Sequence, residues 1–196
     1  FRGNMKELGQ LNEVVCFVFK ELKTGKITKT YGPALNKLPY PNEYFDLVTC
    51  RTGTHHFENF EKSLKEMHRI LKHDGTLIIS DTITSEDPGV SSWHQKVEIM
   101  RDPSHKMNYS LKSWKVFLKK IGLEPEKIIL TSVKLKLNDW MTTSGTPDQV
   151  RKELTQIWNN VDEPTKEYFK INKENNQTFN FEWPCAVMII KKQKLS

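Results

Sequence analysis

Two adjacent histidines, His55 and His56, are the residues of this chain best suited to acid–base chemistry. Histidine titrates near neutral pH, so either ring could take a proton from a reacting group as a general base. A third catalytic candidate, His105, closes the short run RDPSH. The alternative is structural, with one ring packed on the helix that follows and the other hydrogen-bonded to backbone. A metal site is disfavoured, because no carboxylate or cysteine stands at ligand spacing from these histidines.

Polar residues follow two apolar runs that we predict to be neighbouring parallel strands. The first run gives way to Cys50, Arg51 and Thr52, and the second ends at Asp81. Ligands of open α/β sheets bind at the carboxyl ends of such strands. We therefore expect all four residues on the ligand side of the sheet, with Asp81 in the substrate pocket. Cys50 is a poor nucleophile candidate, because it ends a buried strand without an evident activating base.

The elements that must position these residues follow from the hydrophobic pattern. Buried strands are predicted at residues 14–19, 44–50 and 76–80, which are short apolar runs. An amphipathic helix over residues 58–72 joins the second strand to the third. A strand, a helix and a strand with short connections predict parallel pairing through a right-handed crossover, and therefore the α/β class.

A polar segment with scattered large apolar residues, 81–108, is typical of a helix or lid over a site. Trp93 in this segment, and Tyr109 just after it, could wall an apolar substrate, and we place Arg101 in the same pocket. More often such aromatic residues anchor core or helix packing.

The remaining chain is predicted to combine helices with two strands, which could be antiparallel to the others. The helices are expected at residues 111–121, 147–159 and 164–171, and the strands at residues 126–137 and 179–191. Ser110 and Thr146 are the expected N-caps of the first two helices, and Gly122 is the expected C′ residue of the first.

Composition excludes several classes of protein. The chain has 196 residues, 37% hydrophobic and 28% charged, which is ordinary for a soluble domain with its own core. No run reaches the ~20 apolar residues of a membrane helix, and we predict no membrane span. The net charge of +6 comes from lysines spread along the chain, so a nucleic-acid partner is not indicated. Three cysteines without paired spacing favour a reducing compartment, and hence a cytoplasmic protein.

The run LPYPNEYFDLVTCRTGTHHF at residues 38–57 resembles a segment of class I S-adenosylmethionine-dependent methyltransferases, in particular the ubiquinone and menaquinone C-methyltransferase-like (type 11) group. In that group an LPFPD-type loop precedes a strand, a CR-x-x-x-HHF-like segment and a helix that ends in RILKPGG. Here the last motif is RILKHDG, at residues 69–75. The RDPSH run, followed by Tyr109, Ser110 and Trp114, is similar to the group's next motif.

The resemblance implies a Rossmann-like sheet of strand order 3-2-1-4-5-7-6 with an antiparallel last strand, of which this chain supplies largely the 4-5-7-6 half. It implies S-adenosylmethionine as the cofactor and a small molecule as the methyl acceptor. Arg51 would contact the carboxylate of the methionine moiety. The residues expected to border the cofactor are Cys50, Arg51, Thr52, Ala34 and Leu38.

One motif of the group is missing from this sequence. The glycines stand at positions 3, 9, 25, 32, 53, 75, 89, 122 and 145, so there is no D-x-G-x-G-x-G turn that lets backbone N–H groups approach the cofactor. Pro33 stands where the group has an aspartate that faces the adenine. Without the group's first strand, the fourth strand would have a bare edge. Residues 14–19, a second copy in a homodimer or a partner chain would have to cover it.

We predict a single methyltransferase-like domain over residues 1–196. Its parts are an atypical N-terminal part (1–37), a core strand-helix-strand (38–83), a lid-like and helical part (84–125) and C-terminal strands and helices (126–196). Two functions remain open: a small-molecule methyltransferase, and a degenerate methyltransferase-like subunit with an assembly role and no cofactor. A third, an RNA-associated protein, is favoured only by the positive charge.

Overall fold

The structure is a computed structural model that describes residues 16–20, 27–31, 37–175 and 178–192. The strands of this part of the chain are β1 (Cys16–Lys20), β2 (Ile27–Tyr31), β3 (Phe45–Arg51), β4 (Leu71–Thr82), β5 (Pro125–Lys136), β6 (Asn172–Asn175) and β7 (Thr178–Lys191). The helices are α1 (Phe60–Ile70), α2 (Pro88–Arg101), α3 (Leu111–Lys120), α4 (Leu137–Thr143), α5 (Asp148–Asn159) and α6 (Glu163–Phe169). No helix in these ranges is both long and apolar enough to cross a lipid bilayer.

The strands form one mixed sheet of order β2-β1-β3-β4-β7-β5, with β6 paired to β7. β3 and β4 are parallel, because α1 crosses over between them, and β7 is antiparallel to both β4 and β5. The run β3-β4-β7-β5 is the predicted 4-5-7-6 half. The expected Rossmann-like sheet with an antiparallel last strand is therefore confirmed.

β1 covers the edge of β3 that the sequence left open. Its residues Phe17 and Lys20 stand opposite Cys50 and Leu47. The pairing is antiparallel. β1 is joined to β2 as an antiparallel pair and carries no crossover helix to β3 in the described residues. The edge of β3 is thus covered within the chain itself.

Apolar side chains form two clusters. The first packs α1 and α3 against β3 and β4, with Leu64, Met67, Leu77 and Trp114 among its buried members. The second joins α2, α4, α5 and α6 to the beginning of β7, and it is rich in aromatic rings: Trp140, Trp158, Phe169, Phe181 and Trp183. Burial of this much aromatic surface stabilises the second cluster strongly. Its helices form a layer beside the ends of the central strands.

Helix α1 ends earlier than the sequence predicted, at Ile70, and β4 begins at once. The buried ammonium of Lys192 accounts for this ending. It donates to the carbonyl oxygens of Leu71 at 2.8 Å and His68 at 3.2 Å, and so satisfies acceptors that the last turn of α1 leaves free.

Two of the three predicted cap residues are confirmed. The Ser110 hydroxyl accepts from the N–H of Ser113 at 3.2 Å, and Gly122, with φ of 76°, ends α3. The prediction for Thr146 is wrong, because α5 begins at Asp148 and has Pro147 as its N-cap. The Thr146 hydroxyl instead donates to the carbonyl oxygen of Arg101 at the end of α2.

Candidate active site

The carboxyl ends of β3 and β4 lie side by side. Arg51 is paired with Ser80, and the N–H of Thr52 donates to the carbonyl oxygen of Ser80 at 2.8 Å. Arg51 and Thr52 are exposed, whereas Cys50 is buried. The φ of Thr52 is 48°, a left-handed value that a β-branched residue rarely adopts. The backbone is therefore strained where the chain leaves β3, which is common at functional sites.

Asp81, at the end of β4, fixes the turn that follows β3. Its buried carboxylate accepts from the N–H groups of Gly53 at 3.1 Å and Thr54 at 2.6 Å, and also from the Thr54 hydroxyl. Its other oxygen lies 2.6 Å from Nδ1 of His55. Asp81 thus holds both the turn at Gly53 and the ring of His55 in place.

Asp81 and His55 form a charged pair. Burial alone would raise the pKa of Asp81, but the charge of His55 and the hydrogen bonds from His55 and Thr54 hold it well below its usual range. Burial alone would lower the pKa of His55, but the charge of Asp81 and the hydrogen bond to it outweigh that effect and raise it. His55 is therefore the histidine of the site that carries a positive charge most readily.

His56 is held in a different way, through Ser104 and Asp102. Oγ of Ser104 lies 3.0 Å from Nδ1 of His56, and the Ser104 hydroxyl donates to Asp102 at 2.6 Å. Because that hydroxyl has one proton, which goes to Asp102, Nδ1 of His56 must be the donor to Ser104. Nε2 then carries a lone pair. Burial and the nearby charge of His55 lower the pKa of His56, which keeps its ring neutral.

His105 completes a group of three rings. The ring centroids of His55 and His56 are 4.3 Å apart, and that of His105 lies 5.4 Å from His55 and 6.3 Å from His56. Nε2 of His105 lies 3.0 Å from the side-chain oxygen of Gln95, which can only accept, so this nitrogen is protonated. Burial and the charge of His55 lower the pKa of His105 to about 3. The structure thus brings the three predicted catalytic residues together, with one cationic ring and two neutral ones.

The polar network continues from the three rings into α2. Gln95 also accepts from the N–H of Asn108 at 3.0 Å, and the side chain of Asn108 lies 3.2 Å from Nε2 of buried His94. The His94 ring packs on Trp183 of the second cluster, with centroids 4.5 Å apart. The network therefore ties the strand ends to the helical layer.

The other predicted pocket residues are dispersed. Trp93 packs within the second cluster, 4.8 Å from Trp158 between ring centroids. Tyr109 packs on Phe60 at 4.4 Å. Arg101 lies over the ring of Trp140 at 4.8 Å, and its charge is one of the influences that lower the pKa of His105. These three residues do not contact the histidine rings directly in the described contacts.

The loop that begins at Leu38 is fastened to α1. The N–H of Leu38 donates to Glu66 at 2.6 Å, and Arg69 donates to the carbonyl oxygen of Tyr40 at 2.9 Å. Leu38 itself is buried. Ala34, the other cofactor-border residue expected from this region, lies outside the described residues.

Several known proteins are similar to this chain in sequence and in fold. A family model described as "Methyltransferase domain" matches residues 16–79. YcgJ of Bacillus subtilis, an uncharacterized methyltransferase, is 30% identical over 145 residues, which cover 74% of this chain and 57% of YcgJ. Its crystal structure superposes with a TM-score of 0.77 at 27% identity, covering 82% of this chain and 69% of that one. The chain has the fold of the class I methyltransferases, and over residues 16–79 it matches the sequence of a methyltransferase domain.

Two further methyltransferases support this assignment. A structure from Bacillus halodurans, assigned as a methyltransferase, gives a TM-score of 0.78 at 25% identity and covers 82% of this chain and 70% of its own. The demethylmenaquinone methyltransferase of Lysinibacillus sphaericus is 38% identical over 92 residues, which are 42% of this chain and 39% of that enzyme. The chain spans 57% of the length of YcgJ.

The sequence alone did not indicate Asp102, Ser104 and Gln95 as parts of the site. A signal was present for the first two. Asp-Pro-Ser is a turn-forming sequence, and the N–H of Ser104 does donate to the Asp102 side chain at 3.0 Å. Gln95 lies on a helix of weak amphipathicity, and its partners at 105 and 108 are distant in sequence, so no local pattern marks it.

The stability of this protein is expected to fall on acidification below about pH 6.5, the usual pKa of histidine. The folded pKa values of His56, His94 and His105 are lowered, so the unfolded chain binds more protons as the pH falls from that value. His55, whose pKa is raised, has the opposite sign, but its contribution changes only as the pH rises above about 6.5.

The free energy of unfolding of wild type should fall between pH 7 and pH 5. His105→Gln deletes one titrating group, so the variant should lose about 2 kcal/mol less than wild type over the same interval. Glutamine retains an N–H donor for Gln95. Urea unfolding of wild type and H105Q at the two pH values measures the effect, and H73Q, at a half-buried histidine paired with Glu43 outside the site, provides a control. Equal acid sensitivity of wild type and H105Q would contradict the assignment.

Proposed function

We propose that this protein transfers a methyl group from S-adenosylmethionine to a small molecule, and that the acceptor loses a proton in the reaction. The observation that carries the proposal is the neutral ring of His56 near the exposed carboxyl end of β3. Nδ1 of this ring bonds to Ser104, so the lone pair of Nε2 can accept a proton. A base is needed for methyl transfer only when the acceptor must be deprotonated.

The residues at the end of β3 fit one end of the proposed cofactor. Arg51 is exposed there, and among the described residues no ion pair engages its guanidinium. A guanidinium suits a carboxylate such as that of the methionine moiety. Thr52 and Cys50 would border the same moiety through their backbone, and Leu38 would border it from the neighbouring loop. Ala34 is proposed as a further border residue from the sequence resemblance alone. When bound, S-adenosylmethionine supplies an electrophilic methyl group on a sulfonium.

The three histidines are proposed to have different roles in the reaction. Nε2 of His56 would take the proton of the acceptor, and Ser104 and Asp102 would stabilise the imidazolium that results. The cationic His55, fixed by Asp81, would stabilise negative charge that develops on the acceptor. The neutral His105 would close the site on the α2 side. Substrate contacts are proposed for Trp93, Arg101 and Tyr109.

An acceptor with an ionisable hydroxyl on a ring, methylated at carbon or oxygen, would need such a base. The name of the relative from Lysinibacillus sphaericus, a demethylmenaquinone methyltransferase, supports an acceptor of this class. The cysteine pattern supports a cytoplasmic location.

Binding of S-adenosylhomocysteine, the product form of the cofactor, tests the proposal. At about a hundred times its dissociation constant this ligand should stabilise the protein by about 2.7 kcal/mol, seen as a rise in melting temperature. Arg51→Ala should weaken binding about 10- to 100-fold in calorimetric titration, because a charge-assisted hydrogen bond is lost. Lys152→Ala, which removes an exposed cation on α5, is the matched control and should bind as wild type does.

Absence of any thermal shift or binding heat would contradict the proposal and favour the degenerate subunit. Binding that Arg51→Ala leaves unchanged would remove Arg51 from the cofactor site.

A further inference from the structure

The edge strand β5 has an unusual surface. It is the last strand of the sheet, and only β7 pairs with it in the described part of the chain. None of its twelve residues is buried. Ile129 is 41% exposed, Leu130 61% and Val133 45%, so apolar side chains are exposed on both faces of the strand. An exposed, long and apolar edge is a template for pairing with another strand.

We propose that a second copy of this protein pairs with β5 along its free edge, in antiparallel orientation about a twofold axis, so that the two sheets become continuous. This inference does not depend on the proposed function. A twofold interface uses the same patch of both copies, so its residue pairs must be self-complementary.

The geometry of strand pairing restricts the register. In an antiparallel ladder, alternate residues direct their N–H and C=O groups to the same side, and the other residues direct theirs to β7. In both copies the same alternate residues therefore direct their N–H and C=O groups to the free edge. A residue of even number in one copy must stand opposite a residue of even number in the other. Two registers of this kind pair eleven of the twelve residues, one centred on Leu130 and one centred on Thr131. We choose the second, with Thr131 opposite its own copy, because it places the exposed side chains of Ile129 and Val133 opposite each other.

This register gives favourable contacts on both faces. Ile129 stands opposite Val133 of the second copy, and the same pair recurs on the other side of the axis. Glu126, at the irregularity between Pro125 and Lys127, lies near Lys136 and diagonal to Lys134 in this register. Opposed β-branched pairs and opposed unlike charges both stabilise adjacent strands.

The lysines of β5, which would ordinarily prevent edge pairing, do not conflict in this register. Lys127 stands opposite Leu135, Lys134 opposite Ile128 and Lys136 near Glu126, so no lysine faces another. A shift by one residue would place Lys127 opposite Lys134, but the alternation of N–H and C=O groups already excludes it. Hydrogen-bond geometry therefore excludes the register in which two lysines would repel each other.

Sedimentation velocity of the full chain over a ~100-fold range of concentration tests the proposal. Wild type should show a reversible monomer–dimer equilibrium. Ile129→Lys should weaken dimerisation about tenfold or more, because each substitution acts twice across the axis and places a lysine against Val133. Val116→Lys is the matched control: it makes the same type of change at an apolar residue on α3 that is 59% exposed, and should leave the equilibrium unchanged.

A charge exchange tests the register itself. Lys136→Glu should weaken the dimer, and adding Glu126→Lys should restore it, because the opposed pair is re-formed with its signs reversed. Lys136 also lies 3.8 Å from Glu174 of its own chain, but that contact is lost equally in the single and double variants. Circular dichroism and cooperative melting confirm that each variant is folded.

A monomer at every concentration would overturn the proposal. So would a dimer that Ile129→Lys and Val116→Lys affect equally, or one in which the double exchange is no tighter than Lys136→Glu.

Discussion

Replacing Asp81 with alanine is expected to lower the free energy of unfolding by about 3–5 kcal/mol, because removal of one member of a buried charged pair leaves its partner uncompensated. The carboxylate is 1% exposed and lies 2.6 Å from His55. It also accepts from three backbone N–H groups, those of Gly53, Thr54 and Thr82, which would lose their acceptor. Urea unfolding near neutral pH measures the loss.

Asp87 provides a matched control for this experiment. Its carboxylate also accepts from two backbone N–H groups, those of Gly89 and Val90, but it is exposed at the N-terminus of α2. Loss of such a cap costs about 1 kcal/mol. A cost for Asp81→Ala no greater than that for Asp87→Ala would show that the buried pair contributes nothing special to the fold.

The effect should depend on His55. In the combination Asp81→Ala with His55→Ala, neither charge is buried, so the double variant should be less destabilised than the sum of the two single changes predicts. Contacting residues of this kind commonly couple by about 0.5–3 kcal/mol. Strict additivity would indicate that Asp81 acts only on the backbone turn.

Much of the central sheet could be predicted because its signals are local. The apolar run before Arg51, the amphipathic stripe of α1 and the run before Asp81 together dictate a parallel crossover, and parallel pairing alone brings the two strand ends together. Ser110 and Gly122 were predictable for the same reason, since a cap depends on residues within one turn.

The remaining features depend on contacts between segments distant in sequence. Thr146 is a residue type that favours the N-cap position, but its hydroxyl donates to the carbonyl oxygen of Arg101 at the end of α2. The helix begins at Asp148, one residue later than predicted. The roles of the two candidate site residues Asp81 and His56 are likewise decided by partners, namely Thr54 and Ser104. Residue type indicates that a histidine can act as a base, but only its hydrogen bonds decide which nitrogen carries the proton.

Replacing His56 with alanine is expected to reduce the turnover number of methyl transfer by about 10²- to 10⁴-fold, the usual contribution of a general base. Affinity for S-adenosylhomocysteine should be unchanged, because the proposed cofactor contacts lie on β3 and the loop at Leu38. Radiolabelled methyl transfer to a ring-hydroxyl acceptor measures the rate, and calorimetry measures the affinity. His105→Gln, a change at a neutral ring held by Gln95, is the control and should cost far less.

The pH profile separates a base from a merely structural ring. The wild-type rate should fall on acidification with an apparent pKa below the usual 6.5 of histidine, because burial and the charge of His55 lower the pKa of His56. The residual activity of His56→Ala should lack this acidic limb. Ser104→Ala removes the acceptor of the Nδ1 proton, so it should slow the reaction and shift the limb while His56 remains present. If His56→Ala kept both the rate and the limb, the proton would have to leave the acceptor by another route, and the assignment of His56 as the base would be wrong.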